Sequence, residues 1–124
     1  MKNIDFDYFG EDQYIYFNIQ RLMEIERITG KSTGDIIKNQ DLNFNILTVL
    51  LSVGLKHHGI KNPQWYAEKL QVLLDNGMNI EELSIGVVKA LIGSGIIGKA
   101  AYYSAFPEEK TKAKEKELEE FEKN

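Results

Sequence analysis

Hydrophobic and polar positions follow two rhythms along this chain, and the change from one to the other marks its elements. Near the N-terminus Ile4, Phe6 and Tyr8 alternate with Asp5 and Asp7, the period-two pattern of a half-buried strand. Gly10, Glu11 and Asp12 supply turn chemistry, and the aromatic-rich stretch 13–17 forms a return strand, so residues 3–17 are predicted to be a β-hairpin. An isolated hairpin is marginal in water, so this one must pack on the helical remainder of the chain. From Asn18 the rhythm becomes helical. Asn18 caps a helix that Gly30 ends. Ile19, Leu22, Met23 and Ile25 form its apolar side, and Arg21, Glu24, Glu26 and Arg27 are assigned to solvent. Ser32 with Asp35 three positions on resembles a capping box and starts a short helix through Lys38.

The most apolar run is residues 44–59, FNILTVLLSVGLKHHG. Its polar residues Asn45, Thr48, Ser52 and Lys56 recur at spacings of three, four and four, one narrow helical stripe. A helix that is apolar on nearly every other side belongs in the middle of a domain. Gly54 falls opposite the polar stripe, where a missing side chain admits a close neighbour. The run is shorter than the ~20 apolar residues a membrane span requires, so it is predicted to be a core helix.

Asn62-Pro63 is a strong helix start, and that helix should run to Asn76 with Gly77 at its end. Tyr66, Ala67, Leu70, Leu73 and Leu74 share one face. Trp65 and Val72, seven residues apart, sit on roughly the opposite side beside Glu68 and Lys69. Either a neighbouring element covers them or they form a self-assembly or partner surface. Asn79 with Glu82 opens another helix, whose buried stripe is Ile80, Leu83, Val87, Val88 and Leu91. Glycines then interrupt the pattern, and a second helical piece covers residues 99–106. Residues 107–124 are a charge run that begins at a helix-breaking proline, with Leu118 and Phe121 as its larger apolar residues. They lie at i, i+3, a spacing suited to anchoring on a partner. The expected fold is mainly α. About five helices surround a central apolar helix, with an N-terminal hairpin; residues 1–106 form the domain and 107–124 a charged, flexible or frayed-helical tail.

Composition narrows the chemistry. The 124 residues suit one domain, and the absence of cysteine excludes disulfides and thiolate zinc sites. A net charge of −4 disfavours a nucleic-acid surface, which wants a basic stripe. The N-terminus lacks signal-peptide features, so a soluble intracellular protein with no membrane partner is expected. Asp5, Asp7 and Gly10 brush against a calcium-loop pattern, but Phe9 and Tyr16 occupy positions that need oxygen ligands. His57 and His58 are adjacent and do not make the i, i+4 pair that binds zinc. They read as partly protonated imidazoles at the negative end of the central helix. Gly93, Gly95 and Gly98 spell G-x-G-x-x-G, and residues 93–99 spell G-x-x-x-x-G-K. Ala100 stands where a nucleotide loop needs a Ser or Thr hydroxyl, and the preceding segment has helical rather than strand periodicity. No catalytic residue, metal ligand or cofactor site is assigned, and a binding or assembly protein is expected.

The succession FNIQRLMEIERITGKSTGDI, LNFNILTVLLSVGLKHHG and NIEELSIGVVKALIGSGIIGK resembles the tail assembly chaperones of long-tailed bacteriophages. Residues 17–19, 29–32, 54–57 and 94–99 carry the match, which spans about residues 12–100. The doubled histidine, the corner at Gly59-Ile60 and the short tail depart from it. The resemblance implies a small, mostly helical, non-enzymatic protein of the bacterial host cytoplasm that is absent from the finished virion. Such a protein coats the long helical tape measure protein, self-associates, and helps recruit the major tail protein. In many relatives a frameshift appends a second domain, and the segment from Pro107 would be the junction. Trp65, Val72, Tyr102 and Tyr103 are the expected self-association residues, with Leu118 and Phe121 near the tape-measure contact. The competing expectation is a small acidic helical regulatory or adaptor protein of a prophage or mobile element that binds one protein partner.

Overall fold

The computed structural model describes residues 1–112 and 116; Leu118 and Phe121 lie outside them. Two short strands, β1 (Ile4–Asp5) and β2 (Tyr14–Ile15), pair antiparallel with Ile4 opposite Ile15 and Asp5 opposite Tyr14. They are followed by α1 (Ile19–Thr29), α2 (Thr33–Lys38), α3 (Phe44–Gly54), a 3₁₀ turn (Lys56–His58), α4 (Pro63–Asp75), α5 (Ile80–Gly93) and α6 (Lys99–Ala105). The chain is therefore mainly helical around an apolar helix, with an N-terminal hairpin, as its periodicity predicts. Residues 107–112 are also helical. Among the described residues no helix is long and apolar enough to cross a membrane.

Asparagine and serine set most helix starts. The side chains of Asn18, Ser32, Asn43, Asn62 and Asn79 each accept a backbone N–H from the first turn of α1 to α5 in order. These caps occupy donors that a helix N-terminus otherwise leaves unpaired. Helix α3 is the hub, packing on α1, α4 and α5. Leu50 and Leu51 are fully enclosed, and such a side chain contributes about 2 kcal/mol by leaving water.

Four local assignments change in three dimensions. The ladder is shorter than a 3–17 hairpin, because Tyr8 and Phe9 turn away from it. Phe6 closes edge-on to Tyr8 at 4.9 Å, and Phe9 closes edge-on to Tyr66 at 5.2 Å. The central helix ends at Gly54 rather than Gly59. Gly54 O accepts from the Arg21 guanidinium at 3.0 Å, and the His58 N–H bonds Leu55 O at 2.9 Å, so the chain tightens into a 3₁₀ turn. Arg21 itself, assigned to solvent, is 4% exposed, whereas Ile19 and Met23 on the same helix are exposed. Thr48 also leaves the solvent stripe: it is buried, with its hydroxyl turned back to Phe44 O (2.9 Å) and Asn45 O (3.1 Å).

Candidate interaction surfaces

The hairpin is fastened to the helices at one corner. Gly54 makes room there: a Cβ at this position would lie 2.6 Å from Ile15 Cγ1 and 2.8 Å from Phe17 Cζ. Period-two alternation turns the backbone groups of Tyr14 away from β1. The two histidines meet them. His57 Nε2 lies 2.8 Å from Tyr14 O, and the Tyr14 N–H donates to His58 Nε2 at 3.0 Å. Arg21 Nη1 donates to His57 Nδ1 at 3.0 Å, which leaves the His57 proton on Nε2 and makes Tyr14 O its acceptor. The Arg21 guanidinium also stacks on the Tyr16 ring at 3.8 Å. Burial, then the neighbouring His58 and Arg21, hold the His57 imidazole below its ordinary pKa. The expectation of a partly protonated helix-end histidine therefore fails for His57: a second cation beside Arg21 is disfavoured. The corner is a structural clasp.

Trp65 and Val72 do share one flank of α4, and the hairpin turn lies against it. Tyr8, Phe9, Trp65, Lys69, Val72 and Leu73 line a depression of about 340 Å³. Phe9 lies 6.4 Å from the Trp65 ring, and the ammonium groups of Lys61 and Lys69 sit 5.4 and 5.2 Å from its centroid. Trp65 is thus half-buried under the turn and two cations, while Val72 is 53% exposed. Tyr102 and Tyr103 are half-buried elsewhere, on α6. Tyr102 packs on Phe106 at 5.1 Å, and its hydroxyl donates to Glu109 at 3.3 Å. Glu109 forms an ion pair with Lys2, so this pair of tyrosines sits where the two ends of the described chain meet.

The glycine-rich stretch has no phosphate-cradling geometry. Helix α5 leads into it, and Gly95 and Gly98 adopt φ of 86° and 92° in a turn that connects two helices. Among the described residues no group of three or more acidic or histidine side chains is arranged to hold a metal.

Two further apolar surfaces escape a reading of single stripes. One is a groove of about 200 Å³ between α3 and α4, with Thr48, Ala67 and Leu70 inside it and the exposed Phe44 and Leu74 at its lips. Ala67 and Leu74, assigned to the buried face, are exposed there because α3 reaches only as far as Tyr66 and Leu70. The other is the outer side of α5. Leu83, Val87 and Ala90 are buried, and Ile85 points the opposite way, 58% exposed, with half-buried Val88 and Ile92 beside it. The signal for this face is a second i, i+3, i+7 series, Ile85, Val88 and Ile92. Val88, assigned to the buried stripe, is half-buried and borders this face, because the core takes up only the side of Leu83, Val87, Ala90 and Leu91.

Comparison with known protein families, with characterised proteins and with solved structures finds no match to this chain.

Proposed function

We propose that this chain is a non-enzymatic chaperone of phage tail assembly, one that shields the apolar helical surface of a tape measure protein until the tail tube forms around it. The groove between α3 and α4 carries the reading. Two side-by-side helices with small Ala67 and Thr48 inside and bulky Phe44 and Leu74 at the rim suit the ridge of a third helix. A long apolar helix left bare aggregates, and many weakly bound copies cover it through multivalency. The resemblance in the order FNI, TGKS, GLKH and SGIIGK supplies the assignment to tails and to the tape measure. In this reading the chain works in the bacterial cytoplasm, stays out of the finished virion and helps bring up the major tail protein. The Trp65–Val72 depression and the Tyr102–Tyr103 pair serve contacts between copies, and Leu118 and Phe121 lie near the partner.

The test is co-expression with the long protein encoded just downstream. The expected result is that this partner stays in solution and co-elutes only when the chain is present, and that Leu74→Glu abolishes the effect without changing the thermal transition. If the partner behaves the same with and without the chain, the chaperone reading falls and a small acidic adaptor protein is what remains.

A further inference from the structure

We propose that the outer face of α5 binds a second copy of this chain, with the two α5 helices antiparallel about a twofold axis centred on Ile85. Ile85 points straight away from the core, and an aliphatic side chain 58% exposed at the middle of a helix loses water most fully against another apolar face. The charges choose the occupant and the direction. Glu81 and Lys89 stand four residues before and four after Ile85, both exposed and both bordering the same shallow surface. At 1.5 Å per residue each is about 6 Å along the axis from Ile85. In an antiparallel pair centred there, Glu81 of one copy is level with Lys89 of the other, twice over, and Ile85 meets its own mate. A parallel pair would set Glu81 on Glu81 and Lys89 on Lys89. The face is therefore complementary to itself in one orientation only, as a closed twofold interface requires.

Size sets the strength. A helix of 14 residues is about 21 Å long and about 10 Å wide, so the face offers a few hundred Å², below the ~800 Å² per partner of a standard complex. The dimer is accordingly weak, with Kd on the order of tens to hundreds of micromolar. The chaperone reading also has copies touching one another, through the Trp65–Val72 depression and the Tyr102–Tyr103 pair. This proposal concerns a different helix and needs no second protein, so the two tests can fail separately.

The test is sedimentation equilibrium of the full chain across that concentration range, on wild type, Ile85→Glu, Glu81→Lys, Lys89→Glu and the Glu81→Lys/Lys89→Glu double variant, with circular dichroism as a check on folding. The expected result is a monomer–dimer equilibrium in wild type that Ile85→Glu abolishes. Each single charge variant weakens it roughly tenfold, since both symmetry-related pairs turn repulsive. The double charge exchange restores it, which no loss of folding could imitate. A wild type that stays monomeric throughout overturns the proposal, as does a dimer indifferent to Ile85→Glu or a double variant weaker than both singles. A monomeric chain whose Ile85→Glu variant loses capture of the co-expressed long protein gives the face to that partner and equally overturns it.

Discussion

The hairpin corner and the outer face of α5 use similar residues to opposite ends. At the corner every polar group that loses water finds a partner: Gly54 O and His57 Nδ1 take the Arg21 guanidinium, and the Tyr14 backbone takes the two imidazoles. Its apolar side chains, Ile15 and Phe17, are fully enclosed. On α5, Ile85 remains in water with one acid and one base beside it. The corner is thus closed and specific, and changes there act on stability. The α5 face is open, and changes there act on association.

The largest effect should come from filling the notch. Gly54→Ala places a methyl group within 2.6 Å of Ile15 and 2.8 Å of Phe17, both locked in the core. Overpacking of this kind costs roughly 1–3 kcal/mol, and the upper end is expected here, read from urea unfolding midpoints. A wild-type midpoint would mean that the hairpin is not seated on α3. Next comes Arg21→Ala, which leaves Gly54 O without its guanidinium and His57 without its donor. Gly54 O would keep only a 3.4 Å bond from the Tyr16 N–H. A buried acceptor that loses its main donor costs about 1–3 kcal/mol, so a loss near 2 kcal/mol is expected by the same measurement. Arg21→Lys should recover only part of it, because one ammonium cannot both stack on Tyr16 and reach both acceptors.

A smaller effect is pH dependence. The folded state holds His57 below its ordinary pKa, chiefly through burial. The unfolded chain therefore takes up a proton as pH falls through about 6.5, and the folded chain only at a lower pH. Stability should be level above that pH and decline below it, by at most ~1.4 kcal/mol per pH unit for one proton. His57→Gln should flatten the decline between pH 6.5 and 5; an unchanged slope would show that another group titrates. Smallest is Ile85→Ser. With no core contact to lose, it should shift the unfolding midpoint by less than about 0.5 kcal/mol. A drop of 2 kcal/mol would place Ile85 in the core and erase the contrast between the two regions.

Much of this molecule is legible in the sequence alone, because its signals are local. Cap chemistry at Asn18, Ser32, Asn62 and Asn79, the left-handed stop at Gly30 and the apolar run of α3 involve residues within a turn or two of one another. Those interactions depend on backbone donors that any helix exposes, so the helices and the hairpin can be placed before anything is folded. Even the notch at Gly54 is visible, as a glycine opposite a polar stripe. Trp65 and Val72 are also correctly placed on one flank, since seven residues return a helix to the same side.

What covers a flank is a different kind of fact. That Phe9 folds over Trp65, and that Arg21 is buried while Ile19 and Met23 are not, depends on elements far apart in the chain. An arginine carries the same charge at either kind of position, and the carbonyl of Gly54, thirty-three residues on, together with His57 Nδ1 and the Tyr16 ring, makes burying it favourable. The same holds for Ile85. Periodicity identifies which residues of a helix share a side, but the packing of α3 and the hairpin against α5 decides which of its two apolar sides is used up. Local hydrogen bonding was enough to set the elements; the distribution of desolvation among them, and with it every candidate surface, was decided only by the tertiary structure.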